Sequence, residues 1–228
     1  MPFLQNYGIT VKKKRKYMEE KTFCIILRLI PYREKSLIVN TFTKDHGRID
    51  LMLKGGRSVT AKHYPSAGLF RVFFLSFALK DGKNPSSSSS SSSDIFNPRE
   101  MEYITSFDSI ARHTENYLLL CDFASFLLKH TAPFLVLPRT YEALFLLLKR
   151  ATEKEECSFE VNCAKLVFLE ESGLLPENTG KSRENHLLLQ EILAYALQEN
   201  REKPPITPQY EKRLGEWVKA LCRYHGLL

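Results

Sequence analysis

From residue 22 the chain alternates apolar and polar positions with a period near two, and after about residue 110 the period becomes that of a helix. Residues 22–30 are rich in β-branched and aromatic side chains and stop at Pro31. Residues 36–43 form a second strand-like run. Lys44-Asp45-His46-Gly47 supplies a turn, and residues 48–54 alternate as a third strand until Gly55-Gly56 breaks them. Residues 69–79 are Phe-rich and continuous, which predicts a fourth strand buried on more than one side. Residues 101–107 suit a short fifth. Short strands at this spacing predict a small closed barrel.

The helical half has its own stripes. Residues 114–129 are apolar nearly all round, which predicts a central, buried helix. Residues 138–150 place Tyr141, Leu144, Phe145 and Leu148 on one face. Ser158 is the expected cap of a third helix ended by Gly173. Residues 185–198 form a fourth. Thr207-Pro208 starts a fifth, with Tyr210, Leu214, Trp217 and Leu221 on one side and Gly226 at its end. The expected organisation is a basic extension over 1–21, a β-barrel domain over 22–108 and an α-helical bundle over 109–228. A flexible Ser-rich loop over 84–94 interrupts the barrel domain. This is an α+β multidomain class.

Charge separates the halves. Residues 1–85 hold 17 Lys and Arg against 6 Asp and Glu, whereas residues 86–228 hold 16 against 20. The positive field therefore belongs to the N-terminal part and calls for an anionic partner or serves solubility. Lys12-Lys13-Lys14-Arg15-Lys16 reads as a nucleic-acid arm, a nuclear signal or a solvated leader, and Met18 is an alternative start residue. The five cysteines are scattered and never spaced CxxC, which fits a reducing compartment. The first residues lack the pattern of a signal peptide, and no apolar run is long enough to span a bilayer.

No nucleophile elbow, phosphate loop, dinucleotide fingerprint or HExxH helix is present. The six histidines do not pair at metal-ligand spacing, so neither catalysis nor a bound metal or cofactor is expected. Asp45 and Asp50 are candidates for a metal-dependent nuclease or plain polar residues of a turn and a strand. For binding, Arg28, Arg33, Lys35, Lys44, Arg48, Lys54, Arg57, Lys62 and Arg71 surround the first four strands. A groove for unpaired nucleic acid needs such cations beside flat side chains. Tyr32 and Tyr64 are candidates for the stacking role or for plugging a barrel end.

The pieces Pro31-Tyr32-x-Glu34, Phe42-Thr43-x-x-x-Gly47-Arg48 and Lys54-Gly55-Gly56-Arg57 resemble, in order and spacing, the N-terminus of the bacterial RecO family. A looser match is Phe159 and Val167 followed by Gly173-Leu174-Leu175-Pro176. The resemblance implies an OB-fold barrel followed by a helical domain. It implies a cytoplasmic, nucleoid-associated protein that binds single- and double-stranded DNA and anneals complementary strands. The implied partners are RecR and the acidic C-terminal tail of single-strand-binding protein, and the implied outcome is loading of RecA onto coated DNA. Many members carry a zinc module after the Leu-x-Pro turn. Residues 176–186 contain no cysteine here, so no zinc is expected. For the acidic tail the candidate cations are Lys129, Arg139, Lys149 and Arg150, at the ends of apolar helices where the helix dipole alone also favours them. The competing readings are an OB-fold adaptor for RNA or protein, and a metal-dependent nuclease.

Overall fold

A computed structural model describes residues 17–57, 66–80, 95–176 and 183–228. The basic run Lys12 to Lys16, Lys62, Tyr64 and the serine run lie outside these residues. The strands are β1 (Tyr17–Tyr32), β2 (Ser36–Thr43), β3 (Gly47–Leu53), β4 (Arg71–Lys80), β5 (Ile95–Phe96) and β6 (Pro98–Ser106). A 3-10 turn, Asp108–Arg112, leads to α1 (Thr114–His130), α2 (Pro138–Ala151), α3 (Ser158–Glu171), α4 (Arg183–Leu197) and α5 (Pro208–Tyr224). The chain is thus α+β, with a sheet followed by helices.

The strands form one sheet in the order β5-β3-β2-β1-β4-β6, antiparallel except for the short parallel pair β3–β5. This order has two ends, so the pairing describes an open sheet rather than the closed barrel expected from strand spacing. β5 and β6, at opposite ends of it, are separated in the chain only by Asn97. β1 begins at Tyr17, so residues 17–21 belong to the sheet and not to a leader. They run antiparallel to β4, from Tyr17 opposite Lys80 to Lys21 opposite Ser76. This polar start shows no apolar alternation, which is why strand periodicity misses it.

Two cores explain the continuous apolar runs. Cys24 and Ile26 of β1, and Phe73, Leu75 and Phe77 of β4, belong to one core with Val39, Leu51 and Leu53. Ile25 and Leu27, with Phe70 and Val72, face the other way, into the core shared with the helices. Alternate positions of β1 and β4 therefore feed different cores, and both faces are apolar. The expectation for residues 69–79 holds.

The central helix is α3 and not α1. α3 packs against α1, α2, α4 and α5 and buries Phe159, Cys163, Leu166, Val167, Phe168 and Leu169. α1 leaves Leu118 exposed on its outer side. Ser158 does not cap α3: Cys157 holds that position without a side-chain bond, and Ser158 Oγ donates to Glu156. Thr207 does cap α5, its hydroxyl accepting from the Tyr210 N–H at 3.3 Å. Among the described residues no helix is long and apolar enough to cross a membrane.

Sheet and helices are joined firmly. Arg48 Nη1 donates to the carbonyls of Leu128 (2.7 Å) and Thr131 (3.2 Å) at the end of α1. Lys44 pairs with Glu142 of α2 at 2.7 Å. Gly47 (φ 64°) lies so close to the α1–α2 loop that a Cβ would sit 2.0 Å from the Leu135 carbonyl oxygen, so only glycine fits. From that loop, Phe134 packs against the core of the sheet beside Phe96.

Candidate nucleic-acid interface

Register sets the outer face of the first three strands. Arg28 pairs with Asn40 and Asn40 with Asp50; Ile30 pairs with Ile38 and Ile38 with Met52; Tyr32 pairs with Ser36. Directly opposed residues share a face. The alternate rows, Leu29–Val39–Leu51 and Pro31–Leu37–Leu53, turn inward or line the core's edge. An irregularity between Ile26 and Arg28 shifts the register of β1. It moves the strand from two-sided burial at Ile25–Leu27 to an outer side of Arg28, Ile30 and Tyr32, and all three are exposed. The face therefore carries a cation, apolar side chains and an exposed tyrosine in successive rows.

One end of this face is a basic rim. The β1–β2 turn carries Arg33 and Lys35, and the segment after β3 carries Lys54 and Arg57. Two hydrogen bonds hold the segments together: the Arg57 N–H donates to Lys35 O at 3.1 Å, and Arg57 Nη1 donates to Arg33 O at 3.2 Å. Arg33 adopts φ 53°, unusual for a residue with a side chain, and its guanidinium stands 5.3 Å from the Tyr32 ring centroid. Gly55 takes φ 76°, and a Cβ on Gly56 would meet Leu53 Cβ at 3.0 Å. The glycine pair thus bends the chain tightly over the core edge and leaves Lys54 and Arg57 exposed at its two ends.

Among the described residues, Arg28, Arg33, Lys35, Lys54 and Arg57 have no carboxylate within ion-pair distance. Gathering like charges without partners opposes folding and favours an anionic ligand. Three other sequence candidates, Arg48, Lys44 and Arg71, have partners inside the molecule. Arg48 caps α1. Lys44 is held by Glu142, whose hydrogen bond and charge raise its pKa. Arg71 makes a two-pronged contact with Asp108 (3.2 and 2.7 Å) and donates to Ser66 O at 2.7 Å. These three have partners within the fold, unlike the cations of the rim.

The acidic-tail candidates are similarly occupied. Arg139 pairs with Glu170 at 2.6 Å and Lys149 with Glu199. Arg150 donates to the carbonyls of Tyr195 and Gln198, both at 2.8 Å, and lies over the Tyr195 ring. Arg150 therefore ties the C-terminus of α4 to α2, as the dipole argument allows. Lys129 alone of the four is exposed without an ion pair among the described residues. A groove with both polar and apolar walls lies elsewhere, between α4 and α5. Its volume is about 310 Å³, and its lining includes Leu189, Ile192, Tyr210, Trp217 and Arg213.

Asp45 accepts from Thr22 Oγ1 at 2.9 Å and Asp50 from Asn40 Nδ2 at 2.7 Å, so each has a structural partner. Ile30, Ile38, Asn40 and Met52 were not legible as interface residues. Their signal was the alternation itself, which gives a face only once strand order is known.

Together these features define a strand-and-turn surface suited to an extended polyanion, joined to a helical domain. Residues 18–72 match the family model described as Recombination protein O N terminal. Over 53 residues the chain is 40% identical to DNA repair protein RecO of Chlorobium phaeobacteroides (strain BS1), a stretch that is 23% of this chain and 19% of that protein. Over 32 residues it is 56% identical to DNA repair protein RecO of Ralstonia nicotianae (strain ATCC BAA-1114 / GMI1000), covering 14% of this chain and 12% of that one. Over residues 18–72 the chain is thus similar to the N-terminal domain of RecO proteins. The matched stretch spans a fifth or less of those relatives' length.

Proposed function

We propose that this chain is a DNA-binding recombination and repair mediator that holds single-stranded DNA across the outer face of β1–β3. The observation that carries this reading is the convergence of Arg28, Arg33, Lys35, Lys54 and Arg57, all without ion-pair partners among the described residues, around exposed Tyr32. The six-stranded sheet pairs as an open one, and an OB-type arrangement is supported by its two end strands being separated in the chain by Asn97 alone. In OB folds oligonucleotides lie across the second and third strands, beside the loop between the first and second. Those positions here are the Ile38–Met52 row and the Arg33–Lys35 turn.

Annealing follows from electrostatics. Phosphates on two single strands repel, and a cationic surface bound to one lowers the potential that the second must climb. Base pairing then drives the reaction, so no catalytic group or nucleotide cofactor is required. The proposed partners are RecR and the acidic, apolar-tipped tail of single-strand-binding protein, with RecA loading as the outcome. The α4–α5 groove suits that tail better than the helix-end cations, because Arg213 lies beside apolar walls. Incubation of complementary labelled oligonucleotides with Mg²⁺ tests the reading. A mediator yields duplex of unchanged strand length, whereas shortened strands would indicate a nuclease and unchanged single strands would reject annealing.

A further inference from the structure

The division of cations into those the fold uses and those it leaves free applies to the helical domain as well. Arg139, Lys149, Arg150, Lys154 and Lys203 all have acidic or carbonyl partners. Along α5, by contrast, Lys212, Lys219 and Arg223 are exposed and have no ion pair among the described residues. They stand at i, i+7 and i+11, which on a helix places them within about 40° of one line, roughly 10 and 6 Å apart along the axis. The opposite side of α5 buries Leu214, Val218, Leu221 and Cys222. Beside the row lies Lys165 of α3, whose pKa burial lowers against the opposing effect of Cys222 and Asp122. His130 at the end of α1 lies near Leu227, beyond the end of α5, and exposed Lys129 is the residue before it. Glu216, four residues after Lys212 and three before Lys219, lies on the same side of α5, and Glu156 and Glu211 border Lys212. The net charge of the helical half is negative, so this local positive row is invisible to a count of charge by halves.

We propose that the Lys212–Lys219–Arg223 row is a second nucleic-acid site, which holds the phosphate backbone of the complementary strand. The row offers separated single charges, and the apolar residues of α5 lie on its other sides, in the core or in the α4–α5 groove. That suits a regular polyanion more than a lipid surface, which calls for an amphipathic helix with a free apolar face. It also suits it more than an acidic peptide, which needs the apolar pocket that the neighbouring groove supplies. Binding through single cations on an exposed helix side is to backbone and independent of sequence. The inference rests on the reading that the sheet face holds the first strand. Two strands held on one molecule meet at a raised effective concentration.

The test uses the full chain and two variants, Lys212→Gln/Lys219→Gln/Arg223→Gln and Lys54→Gln/Arg57→Gln, each checked for an unchanged thermal melt. First-strand affinity, energy transfer between two non-complementary labelled oligonucleotides and annealing rate are measured at low salt. The α5 variant is expected to bind the first strand within about twofold of the parent. It should lose the energy transfer and anneal at least about tenfold more slowly, the scale expected when a few phosphate contacts are removed. Annealing at the parent rate would overturn the proposal, as would a parallel loss of first-strand binding, since the row would then belong to the first site. Loss of binding to phosphatidylglycerol vesicles with annealing intact would assign the row to membranes and overturn it too. The sheet-face reading fails separately, if the Lys54/Arg57 variant binds the first strand as the parent does.

Discussion

Arg48 on β3 reaches across to α1 and donates to the Leu128 carbonyl at 2.7 Å, closing the helix end onto the sheet. The same side chain matches the family motif and, on sequence alone, is indistinguishable from the cations of the rim. Arg48→Ala is expected to cost about 1.5–3 kcal/mol, the scale of hydrogen bonds made by a charged group. Oligonucleotide affinity should stay within about twofold. Urea denaturation and fluorescence anisotropy check the two halves of this statement, and a stable variant that no longer binds DNA would return Arg48 to the interface.

Tyr32 is 37% exposed at the end of the outer face, with Arg33 beside its ring. Tyr32→Ala should weaken single-strand binding by about 1–3 kcal/mol if a base stacks there, and Tyr32→Phe should restore most of it. Equal losses in both variants would assign the role to the hydroxyl instead.

Arg33 separates charge from fold. Its left-handed backbone (φ 53°) costs a residue with a side chain roughly 1–2 kcal/mol, which glycine avoids. Arg33→Gly is therefore expected to keep or raise the thermal midpoint while lowering DNA affinity. A variant that is less stable and binds DNA normally would contradict both claims.

How much of this was legible follows from what each residue's role depends on. Strand and helix positions came from periodicity and held to within a few residues, apart from the polar start of β1 and the two-residue β5. Those two are set by pairing with β4 and β3, information that lies far away in the chain. The cations were found by composition, but their duties were not. Lys44, Arg48 and Arg71 look like Lys54 and Arg57 until Glu142, Leu128 and Asp108 are brought beside them by the fold. The α5 row escaped notice because the helical half is acidic in sum.

Glu160 is buried in the helical core, where it pairs with Lys154 and accepts from the Tyr195 hydroxyl at 2.9 Å. Lys154 also donates to that hydroxyl at 3.0 Å, and its own carbonyl accepts from Asn116 Nδ2 at 2.8 Å. Glu160→Ala leaves a partly buried ammonium without its carboxylate and should cost about 3 kcal/mol. Adding Lys154→Met should recover part of the loss. Chemical denaturation of the single and double variants checks this, and an additive further loss would contradict it.

In the α4–α5 groove, Trp217→Ala and Arg213→Glu are expected to weaken binding of an acidic, apolar-tipped peptide at least about tenfold, the effect of losing an aromatic or arginine anchor. Arg150→Ala should lower stability with no direct effect on the peptide. Peptide titration followed by a thermal melt distinguishes the two. Peptide affinity unchanged in the groove variants would move the site elsewhere.

The most direct measurement is the salt dependence of single-stranded oligonucleotide affinity for the parent and for Lys54→Gln/Arg57→Gln. Each phosphate neutralised on a single strand contributes about −0.7 to the slope of log affinity against log salt. Loss of two contacts should therefore flatten the slope by about 1.4 and weaken binding most at low salt. Superimposable lines for the two proteins would show that the strand does not lie on this rim.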